Sequence, residues 1–310
     1  MMPLISAEAV QLLSAVPVIQ RARGWRLYTA DGTRILDLYA DGGRMLLGRR
    51  GGSTGKVAKE MIDRGLLSAL PSFWQKRLEN QILSWLPDYA GMLFFPTEIE
   101  ALMALATLDE DFSMALRKGI SLQESLADFS KRIAIEAPFG EYKKRLHKAP
   151  DGFALEGRYA LALLPLAPAW SFGVVLAEKG EDLIALASKV KPSNAKGSLA
   201  IPAWSTSVPA LKLAAGARSL ADFAANAKNI NEAVWAAIDP FISGLFVRSG
   251  PWLYPCYAKA MHSAVFAACL AAGILISPDY DFPSIVPGEF DAGEVAPLRS
   301  IIASLGTEGK

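Results

Sequence analysis

Residues 24–39 read Gly24-Trp25-Arg26-Leu27-Tyr28-Thr29-Ala30-Asp31-Gly32-Thr33-Arg34-Ile35-Leu36-Asp37-Leu38-Tyr39. Asp31-Gly32 separates two stretches in which apolar residues alternate. A turn that needs φ > 0 favours Asp-Gly, so a β-hairpin is predicted here. Downstream, Ser53 or Thr54 can cap a helix from about Lys56 to Leu70, before Pro71. A second helix follows Ser72, with Trp74, Leu78, Ile82 and Trp85/Leu86 near helical period. Met92–Phe95 reads as a short buried strand. It runs into Pro96-Thr97-Glu98 and an alanine- and leucine-rich helix to about Ala106. Ser121 and Glu124 have capping-box spacing for a helix to about Ile135. Residues 137–158, basic and broken by Pro and Gly, read as surface loop. Ala160–Leu166 and Gly173–Ala177 are apolar runs, and helices are expected over 208–220 and 222–238. Leu245–Arg248 and Trp252–Tyr254 flank Ser249-Gly250-Pro251 as a second hairpin. A helix from Tyr257 to Ala272 ends at Gly273, Ile274–Ile276 follows as a strand, and the tail from 292 to 305 is helical. Strands alternate with helices mid-chain and a mixed portion closes it. This predicts an α/β layer with a smaller second domain.

The 310 residues suit one large domain or two modest ones, and 52% are hydrophobic, enough to bury a real core. With 32 Lys+Arg against 31 Asp+Glu, no basic excess exists to neutralise a phosphate backbone, so nucleic acid is not an expected partner. Cys256 and Cys269 cannot make a disulfide framework and read as free thiols in a reducing, cytoplasmic setting. The N-terminus lacks a basic n-region and does not read as a signal peptide. Tyr159–Ala177 and Ala260–Pro278 lack charge over a membrane-spanning length. Pro165 and Pro168 in one, and His262, Ser263 and several alanines in the other, point to buried helix or strand, so no span is expected.

Several motifs fail on inspection. Gly48–Lys56 resembles a phosphate loop, but the Walker pattern needs glycine where Arg50 stands and Ser/Thr where Val57 stands. His147, in the basic run Lys143–Lys148, reads as a solvated face; His262 reads as a satisfied core or interface histidine. Asp109-Glu110-Asp111 reads as a solvated helix end. With two histidines and no ligand spacing at the cysteines, no metal site is expected.

The order of segments resembles the class III aminotransferases, pyridoxal-phosphate enzymes of fold type I. Gly24, Leu27, Tyr28, Asp31, Gly32, Leu36 and Asp37 stand in the family's N-terminal hairpin pattern. Asp41-Gly42-Gly43 and Leu47-Gly48 follow, with Arg49 where the family has histidine. Phe172-Gly173-Val174-Val175 resembles "Pro-x-Gly-Ala-Val", and Val208-Pro209-Ala210 resembles "Gly-Asn-Pro-Leu-Ala". Val247–Leu253 resembles the "Val-Arg-Gly-x-Gly-Leu-Met" strand pair. Residues 270–290, LAAGILISPDYDFPSIVPGEF, are most similar to glutamate-semialdehyde aminotransferases. The likeness covers most of the chain, and each motif is degenerate.

The resemblance implies three requirements. A lysine must form the Schiff base; anchored on Gly173, its position falls on Leu164, with no lysine between Lys148 and Lys179. The cofactor phosphate sits on a "Ser-Gly-Thr-Glu-Ala" loop at a helix N-terminus. Thr97 and Glu98 keep the Thr-Glu positions as vestigial cofactor-binding residues, while Phe95 and Pro96 replace Ser and Gly. An Asp on a central strand must pair with the pyridine nitrogen. Thr97 and Leu164 are 67 positions apart, roughly half what the central strands need; Asp151, in a Pro-Asp-Gly turn, is the nearest candidate.

The expectation is therefore an α/β, shortened fold-type-I large domain over 56–217. A small α+β domain over 218–310 is joined by the N-terminal segment 1–55. The expected function is a non-catalytic aminotransferase homologue with no catalytic residue and no cofactor. It would bind a partner or a second copy through the family's dimer face. Two alternatives stand beside it. One is an active pyridoxal-phosphate aminotransferase or aminomutase using Lys189, Lys191 or Lys196; the other is a small-molecule binding protein.

Overall fold

The structure is a computed structural model that describes residues 7–49, 53–137, 144–147, 158–162, 164–179, 181, 208–226 and 231–301. In chain order, helix α1 (Ala7–Ser14) precedes strands β1 (Ile19–Arg23), β2 (Arg26–Thr29) and β3 (Arg34–Asp37). A single turn α2 (Ala40–Gly43) and helices α3 (Thr54–Asp63) and α4 (Phe73–Trp85) lead to β4 (Tyr89–Phe95). Helices α5 (Glu98–Ala106), α6 (Glu110–Arg117) and α7 (Leu122–Arg132) follow. Next come β5 (Ala134–Ala137), β6 (Lys144–His147), β7 (Tyr159–Ala162), β8 (Gly173–Glu178) and α8 (Ala210–Asn226). Helices α9 (Glu232–Ala236) and α10 (Asp239–Ile242) precede the hairpin β9 (Phe246–Ser249) and β10 (Trp252–Pro255). The chain closes with α11 (His262–Ala271), β11 (Ile274–Leu275), β12 (Ser284–Ile285) and α12 (Ala292–Val295).

The chain divides into two compact units: the described residues of Gly52–Asp222 form one, those of Ile5–Gly51 and Phe223–Lys310 the other. The first is built on a five-stranded sheet in the order β4-β8-β7-β5-β6. Among the described residues of this sheet only β5 and β7 pair in parallel; β4/β8, β7/β8 and β5/β6 are antiparallel. All four residues of β7 are buried, as are the first five of β8, so both read as continuous apolar runs rather than alternating ones. The core on this sheet is filled by α5, α6 and α7 through Leu102, Leu105, Phe112, Leu126 and Phe129. The second unit holds a four-stranded sheet, β1-β2-β3-β11, and a three-stranded sheet, β12-β10-β9.

Asp31-Gly32 does turn the β2–β3 hairpin. Gly32 has φ +88°, Asp31 accepts from the Thr33 backbone N–H, and Arg26, Leu27 and Tyr28 pair with Leu36, Ile35 and Arg34. The second hairpin also forms, Trp252 pairing with Ser249. Thr97 caps α5, and Ser121 with Glu124 makes a full capping box on α7.

Other elements differ from the sequence reading. Helix α3 stops at Asp63, not near Leu70. Gly65 adopts φ +69° and closes a Schellman motif, with Leu66 N–H on the Met61 carbonyl and Gly65 N–H on that of Ile62. Helix α7 ends at Arg132 because Ala134–Glu136 pair in parallel with Ala160–Ala162, and strand pairing wins over the helical pattern. Within the expected loop 137–158, Lys144–His147 forms strand β6 against β5. Helix α8 runs unbroken through 220–222, where the sequence reading has a gap between two helices. The charge-free stretches are β7 and β8 in one case and α11 with β11 in the other. Among the described residues no helix is long and apolar enough to cross a membrane.

Candidate functional site

The positions that a fold-type-I enzyme would use gather in the first unit, around the N-terminus of α5. Strand β4 delivers Phe95, fully buried, to Pro96. Thr97 then takes an extended backbone, and its Oγ1 accepts from the Glu100 N–H at 3.2 Å. This satisfies one of the orphan donors of the first helical turn. Glu98 follows, buried. Across the sheet, Gly173 pairs with Phe95 and opens β8. A Cβ on Gly173 would lie 2.5 Å from the Thr97 carbonyl oxygen and 2.5 Å from Ala101 Cβ. Only glycine allows β8 to pass this close to the start of α5.

Helix α8 contributes a residue that the sequence reading missed. Lys212 Nζ donates to the Pro96 carbonyl oxygen at 3.0 Å. The ammonium also lies near Glu100, where burial pushes the carboxyl up while the Thr97 hydrogen bond and the Lys212 charge pull it down; the net shift is upward. The first turn of α5 therefore holds Glu98 and Glu100, which its dipole favours, with a lysine cation on the carbonyl just before it. The available signal is one cation inside the apolar run Ala210-Leu211-Lys212-Leu213-Ala214-Ala215.

Leu164 is buried, on the segment between β7 and β8, and its carbonyl accepts from Leu166 N–H at 2.7 Å. That segment packs on α8: a Cβ on Gly216 would meet Phe172 Cε1 at 2.8 Å and Leu166 Cδ1 at 3.6 Å. Phe172 in turn lies 5.8 Å, centroid to centroid, from Phe94. The structure thus brings Thr97, Glu98, Gly173 and Lys212 together and sets an aliphatic residue at 164. None of the described strands of this sheet carries an aspartate. Asp151, Lys189, Lys191 and Lys196 lie outside the described residues.

The other singled-out groups take structural places. His262 is buried in the second unit, with Tyr257 Oη 2.9 Å from its Nδ1, and burial lowers its pKa and favours the neutral ring. Burial pushes the Cys269 thiol up to about 12, which makes it inert, while Cys256 is exposed. Also in the second unit, α2 carries φ of +44° and +55° at Ala40 and Asp41, then +69° and +76° at Gly42 and Gly43. The buried Asp37 carboxylate holds this left-handed turn, accepting from Tyr39 N–H and Ala40 N–H and from Arg49 Nε at 3.0 Å. Arg49, standing where the family has histidine, thus braces the turn.

This architecture has known counterparts. No family model matches the chain. An uncharacterized protein of Borreliella burgdorferi is 25% identical over 296 residues, 95% of this chain and 93% of the relative. The glutamate-1-semialdehyde 2,1-aminomutase of Methanothrix thermoacetophila is 30% identical over 95 residues, 31% of this chain and 22% of that enzyme. Among solved structures, an omega-transaminase from Sphaerobacter thermophilus superposes with a TM-score of 0.61 at 12% identity, covering 93% of this chain and 90% of that one. The chain therefore has the α/β fold of the pyridoxal-phosphate enzymes of fold type I. Within that class its solved neighbours include class III aminotransferases.

Proposed function

We propose that this protein is an aminotransferase-fold protein that does not run pyridoxal-phosphate chemistry and works by binding. The single observation that carries the reading is Leu164, buried and aliphatic on the segment that leads to Gly173. It offers no amine for a Schiff base. The cradle at α5 supports the same reading, because its residues do not fit the cofactor. Phe95 sends a ring into the core instead of a hydroxyl to a phosphate. Pro96 has no N–H to donate, and its carbonyl is held by Lys212. Glu98 and Glu100 already place negative charge at this helix end. A thermal-shift titration tests this. A cofactor held at 100 times its Kd stabilises a protein by about 2.7 kcal/mol. No shift is expected with pyridoxal phosphate, and a saturable rise in Tm would contradict the reading.

The partner is proposed to be a second copy of the chain. Within twelve residues, Ile62, Leu66, Leu67, Leu70 and Phe73 are all exposed, Leu70 at 64% and Phe73 at 71%. Such a run of large apolar side chains suits an interface better than water. Nucleic acid is not proposed, given a net charge of +1, and a cytoplasmic setting is proposed from the free thiols. Sedimentation of the wild type as a dimer, and of Leu70→Glu/Phe73→Glu as a monomer, is the expected result. A monomeric wild type would contradict it.

One observation favours a second reading, an active enzyme with a displaced lysine. Lys212 brings an amine to the same helix N-terminus. Covalent trapping of the cofactor on Lys212 would establish that reading.

A further inference from the structure

Strand β1, in the second unit, ends the four-stranded sheet β1-β2-β3-β11. Among the described residues it pairs with β2 alone, antiparallel, so its outer side presents backbone N–H and C=O groups with no strand beside them. Gln20, Arg21, Ala22 and Arg23 are all exposed, and Val18, just ahead of the strand, is 78% exposed. The opposite edge of the sheet differs, because Ile274 and Leu275 of β11 are both buried. The register with β2 slips once, between Ile19 and Arg21, and leaves Arg21–Arg23 as a regular open edge.

The charge on this edge has one sign. Arg21 and Arg23 alternate with Ala22, so they share one face of the sheet. The Arg21 guanidinium lies 4.4 Å from the centre of the Tyr28 ring, which holds it over that face. Arg23 stands opposite Arg26, whose guanidinium is taken by Glu294 at 2.8 Å, with Glu289 at 3.5 Å and Asp291 at 3.7 Å. Arg34 also meets Glu294, at 3.4 Å. The acids of this face therefore gather on Arg26 and Arg34, and among the described residues no carboxylate pairs with Arg21 or Arg23.

We propose that β1 accepts an extended acidic segment of another protein as a further antiparallel strand. The backbone of that segment continues the ladder. Two acidic residues at alternate positions face Arg21 and Arg23, and apolar residues beyond them cover Val18. A second copy of β1 is the poorer occupant, because antiparallel pairing of this strand with itself sets arginine against arginine. The interface between two copies proposed above uses other residues, so the two readings stand or fall separately.

The test titrates the full chain into three labelled peptides and follows fluorescence anisotropy. The first is Thr-Glu-Thr-Glu-Val-Val-Thr. The second has lysine at both glutamate positions. The third is the acidic peptide with its central backbone nitrogens methylated, which removes the N–H donors a ladder needs. Saturable binding of the acidic peptide is expected, weakening as salt rises, with the other two bound about ten-fold more weakly. Arg21→Glu/Arg23→Glu changes only exposed side chains. It is expected to reverse the order and bind the lysine peptide about ten-fold better than the acidic one, a gain that also shows the variant to be folded. No saturable binding of the acidic peptide overturns the proposal. So does equal binding of the acidic and lysine peptides, or an acidic-peptide affinity that the variant leaves unchanged. Equal binding of the methylated peptide also overturns it, as the mark of a charge contact without a strand.

Discussion

Two glycines of the first unit should respond to alanine with opposite sign. At Gly173 the added Cβ would sit 2.5 Å from the Thr97 carbonyl oxygen, 2.5 Å from Ala101 Cβ and 3.0 Å from Glu98 Cα. Ordinary contact begins near 3.4 Å. The obstacles are backbone and a helical Cβ, not flexible side-chain ends, so β8 and α5 would have to part by most of an ångström. Strand β8 cannot yield, because it is held on both sides by β4 and β7. Overpacking of this kind costs about 1–3 kcal/mol, and the rigid obstacle argues for the upper part of that range. At Gly55, inside α3, an added Cβ meets nothing within 4 Å. There alanine should stabilise by about 0.5–1 kcal/mol, through helix propensity and a less flexible unfolded chain. Urea unfolding followed by tryptophan fluorescence reads both variants. With m of about 2 kcal/mol/M, Gly173→Ala should lower the midpoint by about 1 M and Gly55→Ala should raise it by a few tenths. A Gly173→Ala midpoint within about 0.2 M of wild type would refute the close docking of β8 on the start of α5.

Lys212→Met keeps the aliphatic stem but loses the charged hydrogen bond to the Pro96 carbonyl. It should cost about 1 kcal/mol in a partly exposed setting, and an unchanged Tm would contradict that. Gly43→Ala combines φ +76° with a Cβ 2.6 Å from Trp252 Cζ3. It should lose about 2–4 kcal/mol and perturb the Trp252 emission; a wild-type melt would sink the left-handed turn. The Arg248 hydrogen bonds hold the Asp239 carboxyl below its ordinary 3.8. The stabilisation is thus full above about pH 4 and disappears as pH falls through the depressed value. Melts from pH 5 to 2.5 should show Asp239→Asn losing less of its stability on acidification than wild type, and parallel curves would disprove the assignment.

The local elements that carry their own chemistry were legible. Asp31-Gly32 and the Ser121/Glu124 box each announce themselves in a few adjacent residues, and each forms. The Schellman stop at Gly65 was readable in principle, but Pro71 offered a more conspicuous end. What sequence could not give was contact between distant segments. Strand β6 pairs outside any apolar pattern, because an edge strand needs only backbone partners. The left-handed turn at Ala40 and Asp41 breaks residue preference and stands only because Asp37 and Arg49 brace it from outside. At the candidate site, Thr97, Glu98 and Leu164 were named through resemblance alone. Lys212, 116 residues from the carbonyl it holds, was not, because a single cation inside an apolar run does not say which distant carbonyl it meets.

The central claim, an aminotransferase fold without a Schiff-base lysine, is tested most directly by absorbance. The purified full chain is mixed with pyridoxal phosphate, scanned from about 300 to 500 nm, reduced with borohydride and mapped by peptide mass. A free-cofactor spectrum with no uniquely modified lysine is the expected result. An aldimine band that borohydride abolishes and that maps to one lysine, Lys212 included, would contradict the claim.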